Sequence, residues 1–134
     1  GSPSMNIIPS ELLMDKGKVA VKVGETILHL PSEKAEKVKD YVGKKVWFGI
    51  RPEHIGSHET HPGKEEYITG KISIVEQMGN EEFIHFAIDG TQYSARLTSE
   101  NVKETGNGKN YNFWFDMEKC HIFDYETDEN ISLV

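Results

Sequence analysis

Apolar residues recur along this chain mostly at every second position, in short runs broken by Gly, Asn and Asp, and that alternation predicts β-strands rather than helices. Val19, Val21 and Val23 share one face of a first clear strand. Gly24–Glu25 then provides a two-residue hairpin loop, with Gly at the position needing positive φ, before a strand over Thr26–Leu30. Val46, Phe48 and Ile50 alternate in the same way, with Trp47 on the opposite face. Further along, Tyr67–Gln77 reads as a long strand that turns at Gly79–Asn80, and Glu82–Ile88 returns with Ile84, Phe86 and Ile88 on one side. Asp89–Gly90 is the strongest turn signal. It joins that strand to Thr91–Leu97, where Tyr93, Ala95 and Leu97 alternate, as a type I′ hairpin. Tyr111, Phe113 and Phe115 mark a late strand, and Cys120–Phe123 a short final one. About eight or nine short strands at this spacing predict a mostly β fold, a small barrel or a sandwich. Periodicity does not separate the two; an OB-type Greek-key barrel is the expected architecture.

One helix interrupts the pattern. Ser32 is placed to cap it, Ala35, Val38, Tyr41 and Val42 fall on one stripe, and Gly43 is placed to stop it. Two stretches have no apolar period. Arg51–Glu66 carries three His, two Gly and two Pro and reads as a long exposed loop, and Asn101–Asn110 reads as a second loop.

Length and charge narrow the partners. A chain of 134 residues makes about one domain. Fifteen Lys and Arg against 22 Asp and Glu give a net charge of −7, a field that repels phosphate backbones and anionic lipids, so nucleic acid is not an expected partner. The greasiest windows, Val46–Ile50 and Phe83–Ile88, fall far short of the roughly 20 apolar residues of a membrane span, and the N-terminus has no basic and apolar signal pattern. The single cysteine, Cys120, stands in a strand-like context and reads as a small buried hydrophobe in a reducing compartment.

Gly-Lys pairs begin at Gly17, Gly43, Gly63, Gly70 and Gly108, but the residues that follow them are Val19, Lys45, Glu65, Ile72 and Asn110, so none has the Ser or Thr of a phosphate-cradling loop. No Gly-x-Ser-x-Gly elbow is present. His54, His58 and His61 form an H-x3-H-x2-H series, but no cysteine joins them, and Gly56 and Pro62 imply a loose loop, so no physiological metal is expected. Trp47, Tyr93 and Trp114 have few basic neighbours and read as core or interface aromatics rather than base-stacking platforms. The acidic pairs Glu65–Glu66 and Glu81–Glu82 read as solvated turn-flanking residues.

One segment is more specific than its composition. Val42-Gly43-Lys44-Lys45-Val46-Trp47-Phe48-Gly49-Ile50-Arg51-Pro52-Glu53-His54-Ile55 resembles the VGK-x-V-x-x-GIRPEH/D-I element in the C-terminal regulatory domain, the TOBE or transport-associated OB domain, of sugar-importer ABC ATP-binding subunits of the maltose, multiple-sugar and glycerol-phosphate type. Other stretches are similar in the same order. Gly1-Ser2-Pro3-Ser4-Met5-Asn6-Ile7-Ile8 resembles the link from the nucleotide-binding domain, Leu28-His29-Leu30-Pro31 the L-x-LP strand end, and Glu76-Gln77-Met78-Gly79 the E-x-(L/M)-G turn. Phe115-Asp116-Met117-Glu118-Lys119-Cys120-His121-Ile122-Phe123-Asp124 is close to FDPEK-x-HLFD, with Glu126-Thr127 echoing the ETGE that follows. The chain departs from the family at Met117 and Tyr125, where proline is frequent, and at Asp128, where glycine is frequent.

The resemblance implies a linker over residues 1–10 and a regulatory domain over 11–134. It implies a domain without catalysis that helps couple subunit contacts, or a docked regulator, to ATP-driven carbohydrate uptake. No catalytic, cofactor or metal residues are expected in this chain; ATP and Mg would belong to a nucleotide-binding domain preceding it. Gly49, Arg51, Pro52, Glu53, His54, Asp116, Glu118 and His121 are the implied regulatory or interface residues. The implied partners are the nucleotide-binding domain, a second regulatory domain in a homodimer, the importer membrane subunits indirectly and, as in some relatives, a phosphotransferase-system protein. The implied place is cytoplasmic, peripheral to the inner face of the membrane. The alternative is a small-ligand module for an oxyanion or a sugar.

Overall fold

The structure, a computed structural model, describes residues 5–134. The link read in Gly1-Ser2-Pro3-Ser4 lies outside the described residues. The described chain is mostly β, with one short helix. Its elements are β1 (Asn6–Asp15), β2 (Lys18–Val23), β3 (Thr26–His29), α1 (Ser32–Val38), β4 (Lys45–Ile50), β5 (Ile55–Ser57), β6 (Ile68–Met78), β7 (Glu81–Ile88), β8 (Thr91–Thr98), β9 (Asn110–Phe115) and β10 (His121–Asp124).

Two compact units divide the described residues. The terminal unit comprises Met5–Ile50 and Met117–Val134, and the central unit Arg51–Asp116. Each unit has its own five-stranded sheet. Residues 6–10, within the stretch read as a linker, lie in a strand. β1 starts at Asn6, because residues 6–11 form an antiparallel ladder with β4, from Asn6 opposite Ile50 to Glu11 opposite Lys45.

The terminal unit holds one five-stranded sheet in the order β10-β4-β1-β2-β3. β1 is shared along its length: its first half pairs with β4, and Leu12–Asp15 pair with β2. Pro9 is tolerated because that half of the strand pairs on one side only. Its core contains Leu12, Val21, Val38, Val46, Phe48, Ile50, Cys120 and Ile122, all at most 1% exposed. The helix cap falls one residue earlier than expected. Pro31 is the N-cap, no side chain caps the first turn, and Ser32 is already helical. Beyond Val38 a single 3-10 turn spans Lys39–Tyr41. Gly43, at φ 87°, then ends it and donates its N–H to Leu12 O at 2.8 Å.

The central unit holds a second five-stranded sheet in the order β5-β9-β6-β7-β8. The two edge strands, β5 and β8, touch, so the sheet curls back on itself as a barrel does. Asp89 (φ 47°) and Gly90 (φ 79°) both take positive φ between the paired Ile88 and Thr91, the type I′ hairpin that the dipeptide predicts. Phe86 and Phe113 stack at 3.8 Å in the core beside Ile55, Ile68, Ile72 and Ile84. The exposed loop expected over 51–66 is corrected in its first half. Pro52–His54 form a 3-10 turn and Ile55–Ser57 a strand on β9, because Ile55 and Ser57 have core to enter at 0% and 1% exposure.

Candidate functional site

The implied residues fall in three places. Arg51 is extended (φ −75°, ψ 151°), as a residue before proline must be, and buried Pro52 starts the 3-10 turn. The turn closes with His54 N–H donating to Arg51 O at 2.9 Å. It is tied to the end of β9 by the N–H of Asp116, which donates to His54 O at 3.0 Å. Glu53 reaches out to β8, where Arg96 lies 4.0 Å from its Oε1 and uses its Nε on Glu81 at 3.4 Å. Arg51, Pro52, Glu53, His54 and Asp116 thus form one locus in the central unit. His54 Nδ1 is buried there with no hydrogen-bond partner among the described residues.

Gly49 and His121 are brought together in the terminal unit, directly opposite each other on β4 and β10. A side chain at position 49 would not fit: a Cβ would lie 2.7 Å from both Met5 Sδ and Phe123 Cε2. Glu118 stands apart on the 3-10 turn Met117–Lys119, where it lines a cavity of about 520 Å³ with Pro31, Lys34 and Leu133.

Gly49 and His121 belong to a larger surface. On β4 the side chains of Val46, Phe48 and Ile50 go inward, so Lys45, Trp47 and Gly49 face outward. The register places Ile7 and Pro9 of β1, and His121 and Phe123 of β10, on that same outward side. Ile7, Trp47, Phe123 and Asp128 line a groove of about 340 Å³, and Ile7 remains 52% exposed. Tyr125 extends the patch by stacking on Trp47 at 4.8 Å, and its carbonyl accepts the indole N–H at 3.1 Å. Lys45 Nζ lies 5.2 Å from the Tyr125 ring centre. Beside it Asp124 accepts N–H bonds from Thr127 and Glu126 and the Tyr41 hydroxyl at 2.9 Å, which together hold its carboxyl below the ordinary range. The same bond pushes the Tyr41 hydroxyl up. Trp47 was legible as outward-facing; Ile7 and Phe123 were not, because nothing local says that strands from opposite ends of the chain flank β4.

The three histidines do not converge. His58 Nδ1 lies 3.0 Å from Asn112 O and its Nε2 3.3 Å from Glu104, while His61 stacks on Trp114 at 4.3 Å. Among the described residues no group of three or more His, Cys, Asp or Glu is placed to hold a metal ion. Lys64 Nζ also sits 4.8 Å from the Trp114 ring centre, so that indole serves to pack the loop.

Residues 1–55 match the MalK OB fold domain family and residues 48–123 the TOBE domain family. The chain is 36% identical over 140 residues to the oligosaccharides import ATP-binding protein MsmX of Bacillus subtilis, a match covering 98% of this chain and 35% of that protein. It is 34% identical over 138 residues to the trehalose/maltose import ATP-binding protein MalK of Thermococcus litoralis, covering 98% and 35%. It is 29% identical over 136 residues to the multiple sugar-binding transport ATP-binding protein MsmK of Streptococcus mutans, covering 98% and 34%. The chain therefore spans about a third of the length of the curated relatives it matches. Among solved structures, the cytoplasmic molybdate-binding protein ModG with molybdate bound superimposes with a TM-score of 0.64 at 16% identity, over 87% of this chain and 94% of that one, a likeness of fold.

Proposed function

Because the chain belongs to the TOBE domain family, we propose that it is the accessory domain of a sugar-importer ATP-binding subunit, acting through its surfaces rather than through a reaction. In this reading the nucleotide-binding portion of the parent subunit supplies ATP and magnesium chemistry on the cytoplasmic side of the membrane. The chain holds two such subunits together and offers a docking place for a regulator such as a phosphotransferase-system protein.

The observation that carries the reading is the outward face of the terminal unit, where Ile7, Trp47 and Phe123 line an open groove. Apolar side chains left in water on a sheet face favour a partner. A twofold contact uses such a patch twice, so a modest area is enough to keep two copies together. Burying the exposed half of one isoleucine is worth about 1 kcal/mol, so the face works as a patch and not through one residue. A ligand or regulator that contacts one arrangement of the paired subunits better than another then shifts their equilibrium by that difference in affinity. The turn of Arg51, Pro52, Glu53 and His54 is a second contact element in this reading, and its charged groups can meet a neighbour's polar groups in a defined geometry.

Calorimetry separates this reading from the small-ligand alternative. The purified chain is titrated with Mg-ATP, molybdate, sulfate, maltose and glycerol 3-phosphate. No saturable heat is expected from any of them. Micromolar binding of molybdate, sulfate or a sugar would replace the proposal with a ligand-binding module, and binding or turnover of ATP would end it.

A further inference from the structure

In the central unit an acidic side chain is held as a bound ligand would be. Glu59 lies in the segment after β5, and its carboxylate reaches the loop between β8 and β9, more than forty residues away in sequence. There the Lys103 N–H donates to both of its oxygens, at 3.0 and 3.1 Å, and the Glu104 N–H donates to Oε2 at 3.2 Å. The Tyr111 hydroxyl, on β9, donates to the same Oε2 at 2.6 Å and is itself hydrogen-bonded to the Ser57 hydroxyl. Ser57 in turn accepts the Glu59 amide N–H at 2.9 Å, which fixes the direction from which the side chain enters.

We propose that Lys103 N–H, Glu104 N–H and the Tyr111 hydroxyl form a carboxylate receptor, which the chain fills with its own Glu59. Two successive backbone N–H groups converging on one point are the elementary anion site of irregular backbone. The hydroxyl adds a third donor from a separate, rigid element, since Tyr111 is 3% exposed. The forked contact from Lys103 to both oxygens matches the spacing within one carboxylate, which is why the ligand class is a carboxylate and not a spherical halide. The side chain of Glu104 does not compete for the donors, because its Oε2 is engaged with His58 Nε2 at 3.3 Å. The tether explains how the site stays filled in a molecule of net charge −7 that repels free anions. An intramolecular carboxylate acts at an effective concentration in the millimolar range or above, beyond what a free anion of weak affinity reaches.

The experiment removes the tethered carboxylate and supplies a free one. In Glu59→Ala the midpoint of thermal unfolding falls by about 5 °C, and sodium acetate or formate, compared with sodium chloride at equal ionic strength, restores part of it. The amide resonances of Lys103 and Glu104 in the variant move saturably with acetate, while those of the wild type stay in place because the site is occupied. If acetate moves the variant no more than chloride does, or moves the wild type equally, the receptor is overturned. Should Glu59→Ala fail to fold, Glu59→Gln, which keeps one acceptor oxygen, replaces it in hydrogen exchange. Wild-type Lys103 and Glu104 amides then exchange about tenfold more slowly than in Glu59→Gln, and equal rates at both amides would overturn the proposal.

Discussion

Gly70 sits where two aromatic rings leave no room for a side chain. A Cβ there would lie 2.5 Å from Phe86 Cδ2 and 3.2 Å from Phe113 Cε2, both belonging to the stacked pair at the centre of the central unit. The rings are buried and cannot swing away, so Gly70→Ala overpacks the core and lowers stability by about 1–3 kcal/mol. Chemical denaturation checks this: the midpoint falls with an unchanged slope, whereas an unchanged midpoint would show that the rings relax. Asp89 and Gly90 offer a contrast. Their demand is for positive φ at two successive residues, a local property that the dipeptide declares. Gly70 answers to rings on two other strands, and no neighbour in the chain announces that. Gly49 is of the same kind, excluded from carrying a side chain by Met5 and Phe123.

Strands with clean alternation and a turn at each end were legible as elements: β2, β3, β4, β7, β8 and β9 fall where the apolar period places them. β1 was not, because Pro9, Ser10 and Glu11 break its pattern and its two halves serve different neighbours. β5 hid in a stretch rich in histidine, glycine and proline, because three residues are too few to show a period. The link between the two loops of the central unit was equally invisible, since it rests on Glu59 meeting backbone groups far along the chain. That link sets a pH dependence. Burial of Glu59 opposes its ionisation, but the Tyr111 hydroxyl and the N–H groups of Lys103 and Glu104, with His58 nearby, outweigh it and hold its carboxyl below the ordinary value of 4.5. Burial and the Glu59 carboxylate together push the Tyr111 hydroxyl far up, so it remains a donor throughout. A lowered folded-state pKa contributes stability that is fully present above the unfolded value and is lost as pH falls through the folded one. The wild type is therefore expected to exceed Glu59→Gln in thermal midpoint by a constant margin above about pH 5. That margin shrinks as acid protonates Glu59, and a margin unchanged down to pH 3 would assign the stability to shape alone.

At the scale of the whole molecule, the resemblance carried by Gly49-Ile50-Arg51-Pro52-Glu53-His54 was legible because it is contiguous, yet the structure divides the motif. Gly49 and Ile50 close the first segment of the terminal unit, and Arg51 opens the central one. The two family matches meet at the same place, over residues 48–55. The outward face of the terminal unit could not be read in advance, because it assembles β1, β4 and β10 from both ends of the chain. On the proposed account, that face is where the parent subunit meets its second copy. Light scattering on the full-length ATP-binding subunit without nucleotide tests this most directly, comparing the wild type with the double variant Ile7→Asp, Phe123→Asp. The account predicts a dimer mass for the wild type and a monomer mass for the variant, with ATP binding retained. A variant that remains dimeric would contradict it.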